Sequence, residues 1–298
     1  MTEVDYESLP ENATFGTQLL AGALAGITEH VVMHPFDSIK TRMQVLNPNP
    51  QAIYNGVAQA FTKITSTEGA LTLWRGVSSV VIGAGPAHAL YFGTYEQAKL
   101  YFNQNGQSHL GIAASGACAT IVSDAFMNPF DVIKQRMQVH GSSYKSIIAC
   151  SKDMLKKEGL RAFYISYPTT LTMTVPFQAI QFTTYEAMSD FMNPKKEYSI
   201  LSHVVSGGIA GAVAAGATTP LDVVKTLLQT RGTSNDLEIK NVNGLFQGAK
   251  LIYAREGVKG FFRGLAPRML SHTPSTALCW SAYEYFKWVM REKNPANL

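Results

Sequence analysis

The chain has 298 residues, of which 46% are hydrophobic and 15% charged, with a formal net charge of +4 and a mean hydropathy of +0.01. This mild charge, without a basic block interleaved with aromatic residues, argues against a nucleic-acid-binding protein. The three cysteines, Cys118, Cys150 and Cys279, form neither a close pair nor a metal-type spacing, which argues against a disulfide framework.

The first fifteen residues, "MTEVDYESLPENATF", contain four acidic residues and no Lys or Arg. Neither a signal peptide nor a basic amphipathic transit peptide is therefore expected at this end. Apolar runs follow, such as "LLAGALAGI" (19–27) and "SGGIAGAVAAGATTP" (206–220), and they alternate with basic, polar stretches. Any targeting information of a membrane protein with this sequence would have to lie in its own spans.

Six long helices are predicted, and each exceeds the roughly 20 residues that cross a bilayer. In chain order they cover 15–45, 77–102, 108–139, 165–191, 199–230 and 265–290. Small residues at four-residue spacing in the odd-numbered helices allow close helix approach in lipid. These pairs are Gly22/Gly26, Gly111/Ser115 and Gly207/Gly211. Short surface helices are expected near 55–66, 145–157 and 243–254.

One decapeptide pattern, P-x-D-x-x-K-x-x-x-Q, occurs three times. The copies are "PFDSIKTRMQ" (35–44), "PFDVIKQRMQ" (129–138) and "PLDVVKTLLQ" (220–229). Each is followed by a Glu-Gly element ("EGALTLWRG", "EGLRAFY", "EGVKGFFRG") and by a Tyr-Glu element ("YEQAK", "YEAMS", "YEYFK"). The chain therefore divides into three repeats, 1–104, 105–196 and 197–298.

The long connections indicate the orientation of the spans. The 140–164 connection carries five Lys/Arg against two Asp/Glu, and 230–264 carries six against three. The long loops are therefore expected on the side where positive charge is retained, and an even number of spans places both termini on the other side. The soluble alternative is a helical repeat protein, but its helices would need polar outer faces, and "VSSVVIGAGPAHALYF" (77–92) has almost none.

The decapeptide suggests a gate. Its Pro kinks the helix, and its Asp and Lys lie three residues apart on one face. Three such helices converging at one membrane surface could pair each Asp with a Lys of a neighbouring repeat. A pair of this kind has up to about 4 kcal/mol of Coulomb attraction at an effective dielectric of 20, and less net stabilisation. The Tyr-Glu elements suggest a second gate, as alternating access requires. The alternative is that the charges only anchor helix ends at the interface.

The residues predicted at the membrane midplane favour a positively charged substrate over an anion. No Lys or Arg lies between Val77 and Ala98, between Ser166 and Met188, or between Met269 and Phe286. An anion in a low-dielectric cavity needs a fixed cation, and only Arg268 lies near one end.

The apolar helices instead contain the imidazole, carboxylate, amide and thioether groups that bind divalent metals. These residues are His30, His88, Asp124, Met127, Asn128, Met173, His203 and His272. His30 and Asp124 each precede their Pro by five residues, which puts them at one depth. Glu29 lies about 100° from His30 around the helix and is expected to pair between helices. His34 and His140 are interpreted as interfacial. For each single His or Met, an interhelical hydrogen bond or packing is the competing interpretation.

The three decapeptides with their Glu-Gly and aromatic-Gly elements resemble the mitochondrial carrier family over nearly the whole chain. The resemblance implies an all-α membrane protein with six tilted transmembrane helices, pseudo-threefold symmetry and short matrix helices. It also implies one central site, both termini in the intermembrane space, and cardiolipin at the matrix side.

The resemblance further implies two gates. In the matrix gate, Asp37 would pair with Lys134, Asp131 with Lys225, and Asp222 with Lys40, with Gln44, Gln138 and Gln229 as braces. The outer gate would comprise Tyr95, Glu96, Lys99, Tyr185, Glu186, Tyr283, Glu284 and Lys287. Ser189 stands where this gate's second Lys would be, so at most two of three outer ion pairs are expected.

Within the family, the strings "GITEHVVMHPFDSIKTRMQ", "GAGPAHALYFGTYE", "DAFMNPFDVIKQRMQ" and "TTPLDVVKTLLQ" are most similar to the iron-importing mitoferrin branch. This implies His30, His88 and His203, with Met127 and Asn128, as metal-handling residues. A monomeric carrier that imports Fe²⁺ into the matrix, without a cofactor and without enzymatic activity, is expected. The alternatives are a carrier of another divalent metal, a carrier of an organic cation or neutral cofactor, and a metal-assisted enzyme. The enzyme would need a fixed ligand shell, which these dispersed positions disfavour.

Overall fold

A computed structural model describes residues 15–46, 53–102, 109–144, 146–194, 200–272, 274–275 and 278. Throughout these ranges the regular elements are helical, and none is a strand. The α-helices are α1 (Phe15–Gln44), α2 (Val57–Glu68), α3 (Val77–Phe102), α4 (His109–Gln138), α5 (Ile147–Glu158), α6 (Tyr167–Met192), α7 (Ile200–Thr230), α8 (Leu237–Lys240), α9 (Leu245–Gly260) and α10 (residues 265–272). The predicted long helices agree with α1, α3, α4, α6 and α7 to within two residues at each end. Most of the predicted sixth helix, 265–290, lies outside the described residues.

The described helices differ in apolarity. By length and composition, the one helix in the described ranges that could cross a membrane runs from Leu201 to Thr233, with a mean hydropathy of 1.4 over its most apolar window. Helices α1, α4 and α7 all carry the Asp, Lys and Gln side chains of the decapeptides near one end. Six membrane spans therefore remain a prediction.

The short helices α2, α5 and α9 each cover a small apolar core, beside the ends of α1, α4 and α7 respectively. In the first repeat this core consists of Ile39 from α1, Ala60 and Ile64 from α2, and Leu73. The second core lies between α4, α5 and the turn after α5, and the third between α7, α8 and α9. These cores fix the direction in which each decapeptide helix ends.

Glycines with positive φ explain the Glu-Gly and aromatic-Gly elements. The glycine after each Glu, namely Gly69, Gly159 and Gly257, has φ between 63° and 89°. Gly69 and Gly159 end α2 and α5, and Gly257 interrupts the helical geometry inside α9. A later glycine starts the next long helix close to a neighbouring decapeptide. A Cβ on Gly76 would lie 3.2 Å from Lys134 Cα, and one on Gly264 would lie 2.8 Å from Gln44 Cγ. The first contact brings α3 against the charged end of α4, and the second brings α10 against the charged end of α1.

Close packing joins successive repeats. Helix α3 packs along α4, and α6 packs along α7. At Gly83 on α3, a Cβ would meet Met127 Sδ at 2.9 Å, and at Gly211 on α7 it would meet His272 Nδ1 at 2.8 Å. The missing side chains at these glycines therefore make room for two of the predicted site residues.

Candidate functional site

The decapeptide prolines lie inside α1, α4 and α7. A proline lacks the N–H that would bond to the carbonyl four residues earlier. For Pro35 that carbonyl belongs to Val31, and it accepts a hydrogen bond from Trp74 Nε1 at 2.9 Å. The kink is thus stabilised by the turn that follows α2, and it turns the Asp and Lys beyond the proline toward the other decapeptides.

Three interhelical ion pairs connect α1, α4 and α7. Lys134 Nζ lies 2.6 Å from Asp37 Oδ2, Lys40 Nζ lies 2.9 Å from Asp222 Oδ2, and Lys225 Nζ lies 3.8 Å from Asp131 Oδ2. These are the three pairs that the resemblance implied. All six side chains line one polar cavity, which they share with Thr41, Gln135 and Gln229.

The three pairs are not equivalent. The Asp222 side chain is only 6% exposed, whereas that of Asp37 is 34% and that of Asp131 is 30% exposed. Asp222 Oδ2 also accepts a hydrogen bond from Gln44 Nε2 at 2.8 Å, and Gln44 Oε1 accepts one from Thr226 at 2.9 Å. Gln138 instead contacts Thr41 and His34, and within the described part of the chain neither amide atom of Gln229 has a partner.

Arg268, on α10, belongs to this ring. Its Nη1 lies 2.8 Å from Asp222 Oδ2, and its Nη2 donates to Thr218 Oγ1 at 2.9 Å and lies 3.8 Å from Met173 Sδ. Its guanidinium therefore faces a carboxylate rather than open cavity. The sequence signal was a single basic residue at the start of an otherwise uncharged helix, but its partner could not be read from spacing.

The predicted midplane ligands come together only in part. His30 and His88 lie close enough to interact electrostatically, which joins α1 to α3. Asp124 forms a hydrogen bond with Thr174, which joins α4 to α6 at the predicted depth of Met173. In the ranges that the structure describes, no group of three or more His, Cys, Asp or Glu residues could hold a metal ion together.

Three other predicted ligands have packing or hydrogen-bonding partners. Met127 Sδ packs into the space left by Gly83. Asn128 is 2% exposed, and its amide donates to Phe163 O at 2.5 Å and accepts from Ser166 at 3.2 Å. His272 packs against Gly211 and the ring of Phe177, with 5.9 Å between ring centroids.

His203 lies near the predicted outer gate rather than with the other midplane histidines. Its Nδ1 is 2.7 Å from the hydroxyl of Tyr185, and the two rings stack at 6.4 Å. On α3, Tyr95 stacks on Tyr91, and the ammonium of Lys99 lies 5.9 Å from the Tyr95 ring. Over the described ranges, Glu96, Lys99 and Glu186 form no ion pair. The remaining members, Tyr283, Glu284 and Lys287, lie outside the described residues.

Glu29 has a partner on the helix of another repeat. The hydroxyl of Ser275 donates a hydrogen bond to Glu29 Oε1. The expectation that this carboxylate pairs between helices, rather than facing the same point as His30, agrees with that contact.

A second layer of charges surrounds the ring. Arg42 binds both carboxylate oxygens of Glu68, and His140 Nδ1 lies 2.6 Å from the same carboxylate. Burial alone would raise the pKa of Glu68, but Arg42 and then His140 outweigh it and hold that pKa below its ordinary value. Arg136 binds Glu158 in the same way in the second repeat. These contacts attach the surface helices to the ends of the decapeptides.

A ring of three ion pairs at the ends of three kinked helices is the arrangement that a membrane transporter with a closable gate would need. The sequence profile described as "Mitochondrial carrier protein" matches residues 11–106, 107–196 and 196–294. The chain therefore belongs to the mitochondrial carrier family, whose members are transporters, and the resemblance of the motifs is confirmed.

Three relatives match almost the whole chain. An uncharacterized mitochondrial carrier of Schizosaccharomyces pombe is 49% identical over 97% of this chain and 95% of its own length. Mitoferrin-1 of Homo sapiens is 46% identical over 98% of this chain and 89% of its own length. Mitochondrial RNA-splicing protein MRS3 of Saccharomyces cerevisiae is 49% identical over 95% of this chain and 91% of its own length.

Proposed function

We propose that this protein carries ferrous iron across the mitochondrial inner membrane into the matrix by alternating access. The observation that carries the proposal is the ring of three ion pairs linking α1, α4 and α7. Two of the three pairs are partly exposed and therefore weak, so the ring can seal one end of a cavity and still open without a large barrier, and the nearly buried Asp222 is its most tightly held carboxylate. The three formed pairs correspond to a closed matrix gate.

The charge of the cavity supports a cation as cargo. Arg268 is the basic residue nearest the midplane, and it is held 2.8 Å from Asp222, which also pairs with Lys40. Its guanidinium therefore faces the gate rather than the open cavity, where His30, His88 and Asp124 supply imidazole and carboxylate ligands for a cation. Since these ligands are dispersed, the metal is held weakly and keeps part of its water, which suits turnover better than tight binding.

The proposed roles of individual residues are those predicted from the sequence. The metal-handling set is His30, His88, Asp124, Met127, Asn128, Met173, His203 and His272. Gln44, Gln138 and Gln229 brace the matrix gate, and the outer gate comprises the three Tyr-Glu elements. Asn128 and Met127 act by shaping the α3–α4–α6 walls, since packing and hydrogen bonds already occupy them. The protein is proposed to act as a monomer with three repeats, both termini in the intermembrane space, and cardiolipin at the matrix side.

Uptake of Fe²⁺ into proteoliposomes by the purified full chain tests this function. We expect His30→Ala to reduce uptake at least tenfold while the melting temperature stays unchanged. His140→Ala is the matched control, because His140 contacts Glu68 outside the ring and Arg42 still holds that carboxylate. Equal uptake by His30→Ala and the wild type would remove His30 from the mechanism.

A competition series of Mn²⁺, Cu²⁺ and Zn²⁺ against Fe²⁺ uptake determines which divalent metal is carried. A carrier of an organic cation or neutral cofactor would show no metal uptake in the same vesicles. A stoichiometric metal that survives purification would instead favour an enzyme.

A further inference from the structure

His34 differs from the other histidines of the long helices. It directly precedes Pro35, and its side chain is fully buried. Its Nε2 lies 2.9 Å from Arg75 O and 3.1 Å from Gln138 Nε2. The carbonyl of Arg75 can only accept, so Nε2 carries the proton and donates to it. The Gln138 amide is then assigned with its oxygen toward Nε2 and its nitrogen toward Thr41 Oγ1, which accepts. The other nitrogen, Nδ1, is an unprotonated acceptor, and within the described residues it is buried without a partner.

The matched positions in the other repeats do not share this feature. Asn128 and Thr219 also directly precede their prolines and are also buried. Both ends of the Asn128 amide are hydrogen-bonded, and the Thr219 hydroxyl donates to Ala215 O at 2.7 Å. Buried polar atoms in native proteins are normally satisfied, so an open nitrogen lone pair at only one of three equivalent positions needs an explanation.

His34 lies between the predicted cavity ligand and the gate. His30, His34 and Asp37 are spaced i, i+4 and i+7, which places them on one face of α1. His34 interacts electrostatically with His30 above it and with Asp37 below it, and also with Lys134, the cation that Asp37 holds. These three side chains therefore follow one face of α1 from the midplane to the Asp37–Lys134 ion pair of the gate.

The hydrogen bond to Arg75 orients His34 as a ligand. Histidines that bind metals commonly donate their second ring N–H to a backbone carbonyl, which fixes the tautomer and leaves the other nitrogen for the ion. Two histidines one helical turn apart are also a known metal-binding pair, because both nitrogens reach one point. His34 satisfies both conditions, with Nδ1 as the coordinating atom.

We propose that His30 and His34 together bind a divalent metal ion in transit, through the Nδ1 atom of His34, and pass it to Asp37. The inference rests on the proposed carrier function and adds a ligand below the cavity. When the metal reaches the Asp37 carboxylate, it replaces the ammonium of Lys134 as the counter-charge, so the gate pair opens without leaving a bare carboxylate. Two protein ligands, with water completing the shell, hold the ion only weakly, as a transit site requires.

His34→Gln isolates the ligand role. The Gln amide nitrogen can occupy the place of Nε2 and keep the donor to Arg75 O, but nothing replaces Nδ1. The first measurement is pulsed electron paramagnetic resonance of Mn²⁺ bound to the purified full chain. We expect nitrogen couplings from two imidazoles in the wild type and from one in His34→Gln. His140→Gln, the same substitution outside this face, is expected to keep both.

The second measurement is initial Fe²⁺ uptake into proteoliposomes, with the melting temperature of each variant as a check on folding. We expect His34→Gln to lower uptake about tenfold or more without lowering the melting temperature. Unchanged couplings in His34→Gln, or unchanged uptake, would overturn the role of His34 and leave the carrier function standing. If the wild type moves no Fe²⁺ but His34→Gln still loses one imidazole coupling, the carrier function would be overturned and the assignment of His34 as a ligand would stand. A wild type without nitrogen coupling would overturn the site.

Discussion

Replacement of Asp222 by Asn tests whether the three gate pairs differ as their burial indicates. Asp222 is 6% exposed and faces Lys40, Arg268 and Gln44, so its loss leaves two cations in a nearly buried place. Removing one partner of a buried pair costs about 3–5 kcal/mol. At about 2–4 °C per kcal/mol, the melting temperature should fall by roughly 6–20 °C.

The matched variants Asp37→Asn and Asp131→Asn remove carboxylates that are 34% and 30% exposed. Pairs of that kind contribute up to about 1 kcal/mol, which corresponds to a loss of at most about 4 °C. Tryptophan fluorescence during heating of the purified protein measures all three variants. Equal losses would refute the reasoning from burial.

A double variant separates two costs of losing Asp222: the lost attraction to its partners and the unpaired positive charges left behind. In the Asp222→Asn background, Arg268→Met removes one of the two stranded cations and keeps an elongated apolar side chain beside Met173. We expect part of the lost stability to return, so the two substitutions should be strongly non-additive. Additive losses would contradict the contact between Arg268 and Asp222.

Two further predictions concern the parts that position the ring. Gly264→Ala places a Cβ against Gln44 at a φ of 69°, whereas Gly141→Ala has the same φ but no neighbour within 4 Å. In thermal melts, Gly264→Ala should lose clearly more stability than Gly141→Ala. Equal losses would mean that the strained backbone conformation, and not the contact with Gln44, accounts for the effect. Burial raises the pKa of the Cys150 thiol to about 11, so N-ethylmaleimide should label Cys150 slowly in native protein and fast after denaturation, as mass spectrometry of digests can show. Equal rates in the two states would contradict the packing around α5.

Much of the fold follows from the repeated motifs. Because the decapeptide recurs with Pro, Asp and Lys in a fixed order, the kinked helices, the surface helices and an ion pair between each Asp and a Lys of another repeat could be predicted. A repeat specifies equivalent positions in a common frame, but the particular partner of Asp37, Lys134 at 97 residues along the chain, was implied by the resemblance to the mitochondrial carrier family. The same frame placed His30 and Asp124 at one depth without any knowledge of helix packing.

Contacts that break the repeat could not be predicted. Ser275 beside Glu29 and Arg268 beside Asp222 join helices, and the other repeats carry no Glu or Arg at the positions that match Glu29 and Arg268. Spacing gives a residue's face and depth, but not which side chain opposite is long enough to reach it. Asn128 illustrates the limit: its position indicated a ligand, whereas its amide binds Phe163 and Ser166. His34 illustrates the reverse, since an interfacial position was expected and the ring is buried.

Three similar decapeptides do not make three equal gate pairs. Asp222 is held by Lys40, Arg268 and Gln44, whereas Asp131 faces Lys225 at 3.8 Å, and Gln229 beneath it has no partner in the described ranges. The difference arises from single residues outside the motif, because only the third repeat supplies an arginine to its own Asp. Threefold sequence symmetry therefore specifies where the pairs form, and the asymmetric residues around them set how strongly each one holds.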